Sequence, residues 1–151
     1  MLRVGLSAVG LCAALALATT ACGTQQAVAH TCSATDQQFL STAQLNMTAL
    51  NDSAAMYLQG NAKAGEVIGQ AHKSAELVGH TNPTDPSLSM ARKYLNSMFV
   101  EYASAVQTQS KHGDARRHLY RAYGLAGFAR DVLLQAQPAL QPRGCDVSDL
   151  L

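Results

Sequence analysis

Apolar residues recur three or four positions apart through most of the chain after residue 35. Between Asp36 and Leu58 the repeating positions are Leu40, Ala43, Met47, Leu50, Ala54 and Tyr57. This spacing draws one apolar stripe along a helix, because 3.6 residues complete a turn. Gly60 then supplies the left-handed residue that commonly ends a helix, and Asn61 can cap the next one. A first amphipathic helix is therefore predicted over 36–58.

A second stripe follows over residues 62–78, and Gly79 is expected to stop the helix. Its apolar positions are Ala64, Val67, Ile68, Ala71, Ala75 and Val78. This helix is the weakest of the set. Gly65 and Gly69 each cost about 1 kcal/mol relative to alanine unless another part of the protein packs closely against them.

The clearest break between helices is the segment 80–86, HTNPTDP. Pro83 cannot continue the preceding helix, and Asp85 before Pro86 is typical of an N-cap followed by proline in the first turn. A third helix is predicted over 86–111. Its apolar positions are Leu88, Ala91, Leu95, Met98, Phe99, Tyr102, Ala105 and Val106.

A tight turn at Gly113 and Asp114 is expected to bring a fourth helix back antiparallel to the third. This helix is predicted over 115–137, and Pro138 is expected to end it. Its inward positions are Leu119, Ala122, Ala126, Ala129 and Leu133. Alternation of apolar and polar residues is nowhere long enough for a strand. The fold class is therefore all-α, an antiparallel bundle of about four helices in one domain.

Residues 1–21 have the layout of an export signal. One early charge, Arg3, precedes an apolar or small run, and Thr-Thr-Ala then leads to Cys22. The run is too short and too weakly flanked to be a membrane span. The sequence therefore predicts a lipoprotein-type signal peptide over 1–21, a tether over 22–33 and a helical bundle domain over 34–151.

The segment around Cys22, ATTACG at residues 18–23, resembles a bacterial lipobox. In a lipobox the cysteine receives diacylglycerol and becomes the new N-terminus, so the resemblance implies lipidation of Cys22 and a membrane anchor outside the cytoplasm. Thr19 departs from the pattern, because Leu, Val or Ile is usual there. The alternative is ordinary cleavage after Ala29, which would release a secreted soluble protein that begins at His30.

Two cysteines remain for the folded domain. Cys32 and Cys145 lie 113 positions apart, near its two ends. Disulfides form outside the cytoplasm, and two cysteines allow one pairing. Neither has a second metal ligand or a base at a recognisable spacing. We therefore predict a disulfide that joins the termini of the domain, worth on the order of 4 kcal/mol in the loop-entropy model.

The charges of the exported part balance but are segregated. Residues 31–91 carry five acidic and two basic side chains, whereas residues 92–130 carry seven basic and two acidic ones. Attraction between the two halves of one domain is the simpler explanation. The alternative is a basic face that meets anionic lipid or a cell-wall polymer. Nucleic acid is not an expected partner, since the exported chain is neutral and has no binding motif.

The densest group of reactive side-chain types lies near the start of the fourth helix. The candidate anion-binding or partner-binding residues are Glu101, Arg117, His118, Arg121 and Tyr123. A salt bridge between the third and fourth helices with ordinary core tyrosines explains them structurally. A site for an anion or an acidic polymer explains them functionally.

No catalytic set is recognisable, so an enzyme is not expected. Serines are present without a nucleophile turn, and there is no glycine-rich phosphate loop. His72 and Glu76 lie four positions apart on the second helix, but two ligands do not make a metal site. No metal or other cofactor is predicted.

Three segments carry a resemblance to a known class: MFVEY at 98–102, YRAYGLA at 120–126 and GCDV at 144–147. With the leader, they make the chain similar to small exported lipoproteins of high-GC Gram-positive bacteria. The resemblance implies a location in the cell envelope and no assigned activity.

The predicted function is that of a cell-surface lipoprotein with a binding or structural role. Its predicted partners are the membrane, through the lipid anchor, and an envelope protein or anionic polymer. The alternative is a bundle that holds a small anionic or lipid-like ligand between the third and fourth helices, where Gly124 and Gly127 leave room.

Overall fold

The computed structural model describes residues 31–151. The predictions for the signal peptide, for Cys22 and for cleavage after Ala29 lie outside these residues. Within them the chain forms four helices, α1 (Ala34–Leu58), α2 (Ala64–Gly79), α3 (Pro86–Ser110) and α4 (Arg116–Leu140), and two short 3-10 turns, Gln141–Arg143 and Ser148–Leu150. This part of the chain has no strand, so the all-α prediction is confirmed. None of its four helices is both long and apolar enough to cross a bilayer.

Two helix starts follow from side-chain caps. Asp85 accepts hydrogen bonds from the N–H groups of Ser87 at 2.9 Å and Leu88 at 3.3 Å, and so it caps α3 as predicted. Ser33 caps α1 by accepting from the N–H of Asp36 at 3.1 Å. These bonds satisfy backbone donors that have no partner within the first turn of a helix.

Two local predictions at helix ends are wrong. Asn61 does not cap α2, because that helix begins after Lys63 and has no side-chain cap. Pro138 does not end α4, which continues to Leu140. A proline this close to the C-terminus removes one backbone hydrogen bond on an exposed face, and the buried Leu140 keeps the last turn in place. The predicted turn at Gly113 and Asp114 lies between α3 and α4, and its left-handed residue is His112, with φ 60°.

Helix α3 lies at the centre of the packing. It packs along α2 on one side and along α4 on the other, and α1 packs mainly against α2. The most deeply buried large side chains come from all of these elements and the tail: Phe39, Val67, Val78, Leu88, Phe99, Leu133, Leu140 and Val147. The helix-spaced stripes predicted most of this core, but Phe39 lay outside the predicted stripe of α1.

The predicted disulfide is present. The sulfur atoms of Cys32 and Cys145 are 2.03 Å apart, and their Cα atoms are separated by 5.1 Å. The N–H of Cys32 also donates to the carbonyl oxygen of Arg143 at 2.7 Å. The start of α1 and the segment after α4 therefore meet at one end of the bundle, which we call the disulfide end.

Residues 141–151 form a tail that covers part of the gap between α1 and α4. Within the tail, Val147 is buried, and Leu150 and Leu151 pack against the core. The side chain of Gln44 on α1 donates to Asp149 at 2.7 Å. All four helices, the core and the disulfide lie within residues 31–151, and so this part of the chain contains what it needs to fold as one unit.

Candidate functional site

The structure brings together three of the five candidate residues. His118 Nδ1 lies 2.7 Å from Glu101 Oε2, and Arg121 Nη1 lies 3.5 Å from Glu101 Oε1. Together they link α4 to α3. The hydrogen bond to His118 lowers the pKa of Glu101, burial opposes this, and the positive charge of Arg121 adds to the lowering. Because Glu101 already faces both groups, the cluster has the geometry of an interhelical ion pair.

The other two candidate residues lie apart from this cluster. Arg117 is exposed on the outside of α4. Tyr123 is 71% exposed and borders a groove on the flank of α4 that faces α1. The five residues therefore do not converge on one point, and an anion that met all of them is not compatible with this geometry.

The groove beside Tyr123 is largely apolar, and its volume is about 370 Å³. Its lining comes from three helices: Met47, Leu50, Asn51, Ala54, Ala55 and Leu58 on α1, Met98 and Tyr102 on α3, and Ala122, Tyr123 and Ala126 on α4. None of these side chains is charged. We call it the α1–α3–α4 groove.

The groove exists because α1 does not pack closely against α4. Alanines line both facing helices, with Ala54 and Ala55 on α1 and Ala122 and Ala126 on α4, and they leave the space between the helices unfilled. The tail closes the gap only near the disulfide end. The opposite half of the gap, toward the end of α1, stays open.

Two phenol groups, those of Tyr102 and Tyr123, line the groove, and Tyr57 is a further neighbour of Tyr102. The pKa of Tyr102 is raised, mainly by burial and also by the neighbouring Tyr123 and Tyr57. The Tyr102 hydroxyl therefore stays protonated at neutral pH and can donate a hydrogen bond. Together with the amide of Asn51, the tyrosines give an otherwise apolar groove a few polar groups. This combination suits an apolar molecule with one polar end.

A second cluster of polar side chains lies at the disulfide end, around the buried Asp36. Asp36 and the sulfurs of Cys32 and Cys145 are the one set of three potential metal ligands that lie close together within residues 31–151. Both sulfurs are consumed by the disulfide, and so the set offers a single carboxylate. Arg143 and Asp85 form an ion pair nearby at 2.8 Å. The hydrogen bonds and the ion pair of this cluster hold separate segments of the chain together, and so we assign it a role in stability.

Sequence reasoning missed the groove, although it contained a signal. The alternative prediction placed a ligand between the third and fourth helices, near Gly124 and Gly127. Both glycines are exposed, and a side chain at either would meet open space. The sequence feature that indicated the groove was the set of alanines on the apolar stripes of the first and fourth helices. Small side chains of this kind cannot fill the space between two helices. No protein-family model, curated protein or solved structure matches this chain.

Proposed function

We propose that this chain is a non-enzymatic helical module outside the cytoplasm, anchored by lipid on Cys22, that binds an elongated lipid-like ligand in the α1–α3–α4 groove. The observation that supports this most strongly is the groove itself. It is apolar, open at one side and bounded by three helices that are otherwise well packed. A contiguous apolar groove that is open to solvent is typical of a binding site.

The lining favours an acyl-like ligand over other classes. The volume of about 370 Å³ lies in the range of small-molecule sites. Met47 and Met98 have flexible, polarisable side chains that adapt to ligands of irregular shape. The absence of charge among the lining residues disfavours a small anion, whose hydration shell the groove could not replace. A single hydrocarbon chain meets these conditions when its polar end stays in water at the open side of the groove, near the exposed Tyr123.

The position of the groove is compatible with a membrane anchor. The chain enters the domain at the disulfide end, whereas the groove lies along the second half of α1. Residues 22–30 span at most about 30 Å when extended. An anchored domain therefore stays close to the bilayer while the groove remains free of the attachment point.

The test uses residues 31–151 in the oxidised form and palmitic acid as the probe. Native mass spectrometry and displacement of a dansyl-labelled fatty acid would measure binding. We expect one ligand per chain. Replacement Ala126→Phe places a ring in the groove and is expected to weaken binding at least tenfold, about 1.4 kcal/mol.

The matched control is Ala139→Phe, an exposed alanine on the same helix outside the groove. This variant should bind palmitic acid as the unmodified domain does. Circular dichroism would verify that both variants stay helical. Equal binding by the two variants, or no binding by the unmodified domain, would contradict the proposal. Anchoring is tested separately, by the mass of the N-terminal residue of the protein isolated from membranes.

Binding of an envelope protein remains a second candidate function. Leu58 is 81% exposed at the end of α1, and Tyr123 faces it across the groove. These two side chains could enter a partner's surface. A photoreactive residue at position 58 would crosslink such a partner in intact cells, whereas crosslinks to lipid alone would favour the ligand.

A further inference from the structure

The exposed aromatic residues of the domain are concentrated on one helix. Tyr120 is 75% exposed, Tyr123 is 71% exposed and Phe128 is 57% exposed, and all three belong to α4. The other five aromatic residues within 31–151 are buried or half-buried. Single exposed apolar side chains are ordinary, but three exposed aromatic rings within three turns of one helix indicate an interaction surface.

Positive charge follows the same face. We define the outer face of α4 as its exposed side from Arg117 to Asp131, which consists of Arg117, Tyr120, Arg121, Tyr123, Gly124, Gly127, Phe128, Arg130 and Asp131. Cations therefore alternate with rings along one side of the helix. Gly124 leaves no side chain between Tyr120 and Phe128, so the rings are not screened from a flat surface.

The arginines of α4 are only partly neutralised. The helix carries four arginines and a single acidic residue, Asp131. Arg117 and Arg130 have no ion-pair partner among residues 31–151, whereas Arg116 pairs with Asp114 at 2.9 Å and Arg121 approaches Glu101 at 3.5 Å. A shallow depression between Arg121 and Phe128 adds further apolar surface.

We propose that the outer face of α4 lies against the surface of an anionic bilayer. A bilayer offers phosphate groups to the arginines and, just beneath them, an apolar layer to the rings. Arginine side chains can reach outward to the phosphates while the rings sit at headgroup depth. An anionic polymer would satisfy the charges but leave the rings in water.

In the cell, the proposed lipid anchor on Cys22 is what would hold the domain near the bilayer, and to that extent this inference rests on the proposed function. The exposed rings and arginines of α4 are present with or without the anchor. Tyr123 belongs to this face and also borders the α1–α3–α4 groove. Docking of α4 would therefore bring the open side of the groove toward the lipid, from which an acyl-like ligand could enter.

Residues 31–151, oxidised and without lipid, would be tested on vesicles of phosphatidylcholine with and without phosphatidylglycerol. We expect binding only when phosphatidylglycerol is present. The double variant Arg117→Gln/Arg130→Gln should weaken it about 25-fold, since each arginine near such a surface is worth about a factor of five. The control with the same loss of charge is Lys63→Gln/Lys73→Gln on α2, where both lysines are exposed. Equal weakening by the two double variants would overturn the proposal.

A second measurement reports which side chain enters the lipid. The chain contains no tryptophan, and so one introduced residue is a clean probe. In Tyr120→Trp we expect quenching by brominated lipid and a blue shift of emission. In Leu45→Trp, at a position 69% exposed on α1, we expect neither. Quenching in neither variant would overturn docking through α4.

Ligand binding in the groove and docking of α4 on a bilayer can be tested independently of each other. Ala126→Phe, which fills the groove, should leave vesicle binding unchanged, and Arg117→Gln/Arg130→Gln should leave palmitic acid binding unchanged. Binding to a soluble polyanion that is as tight as binding to vesicles, with no effect of Tyr120→Ser or Phe128→Ser, would show a polymer site and overturn docking on a bilayer.

Discussion

Asp36 occupies a position of α1 that faces the core, and its side chain is fully buried. Its Oδ1 accepts from the N–H groups of Thr84 at 2.7 Å and Asp85 at 3.0 Å, and its Oδ2 accepts from the Thr84 hydroxyl at 3.0 Å. Burial alone would raise the pKa of Asp36, but these bonds, with one from the Ser33 hydroxyl, outweigh burial and lower it. The carboxylate thereby fixes the loop before α3 against the start of α1.

Replacement Asp36→Asn should destabilise the domain by about 2 kcal/mol. The amide keeps the shape but offers one acceptor oxygen in place of two, and it leaves a buried donor without a partner. Urea unfolding at pH 7, followed by circular dichroism, would measure the change. The control is Asp52→Asn on the same helix, where the exposed side chain should contribute less than about 0.5 kcal/mol. Similar losses in both variants would contradict this role for Asp36.

Acid should weaken the domain through the same group. Because the pKa of Asp36 is lower in the folded state than the unfolded value of about 3.9, its contribution is complete above that value and is lost as the pH falls through the folded pKa. Glu101 acts in the same direction from its own lowered pKa. Unfolding at pH 7 and at acid pH should show a smaller acid-induced loss in Asp36→Asn than in the unmodified domain. An equal loss would mean that other carboxylates carry the effect.

At the scale of elements, the glycines divide into two kinds. Gly60 ends α1 with φ 76°, a conformation that other residues adopt only with strain. Gly69 lies inside α2, is exposed, and has nothing within 4 Å of an added Cβ. A glycine inside a helix costs little when another part of the protein packs closely against it. No such neighbour lies beside Gly69, and so this glycine lowers the stability of α2.

Replacement of Gly69 and of Gly60 by alanine should change the stability of the domain in opposite directions. Gly69→Ala should stabilise the domain by roughly 0.5–1 kcal/mol, because alanine is the better helix former and the site has space. Gly60→Ala should destabilise it by about 1 kcal/mol, because the left-handed conformation then carries a Cβ. Thermal unfolding of the two variants under identical conditions would test this. A destabilising Gly69→Ala would mean that α2 needs flexibility there.

Helix existence could be predicted from the sequence more reliably than helix ends. The four stripes are long and regular, and Asp85 before Pro86 has a specific capping role, so these features follow from local chemistry. The ends at Asn61 and Pro138 depend instead on neighbours: the buried Leu140 retains a turn that proline alone would terminate.

At the scale of the whole molecule, the disulfide closes a loop that contains all four helices of residues 31–151. The double variant Cys32→Ser/Cys145→Ser should lower the free energy of unfolding by about 4 kcal/mol, since the unfolded chain regains the freedom that the bridge removes. Urea unfolding would measure it. Dithiothreitol should destabilise the unmodified domain by a similar amount and leave the double variant unaffected. Resistance of the unmodified domain to reductant, with equal unfolding midpoints, would contradict this contribution.

The arrangement of the helices limited what the sequence could predict about the site. A stripe shows which side of a helix faces inward but not how closely two stripes approach. The candidate residues Glu101, His118 and Arg121 came together because the short turn after α3 fixes the register of α4. The groove lined by Ala54 and Ala126 depends on the spacing of two helices that are distant in sequence, which no local pattern contains.

The bridge at the disulfide end also determines how the domain responds to a pull. A load applied between the segment before Cys32 and the segment after Cys145 passes directly from Cys32 to Cys145 through the sulfur atoms. The four helices lie outside this path and bear almost none of the tension. Under such a load the four helices would stay packed until a covalent bond broke, although residues 146–151 would first separate from the core.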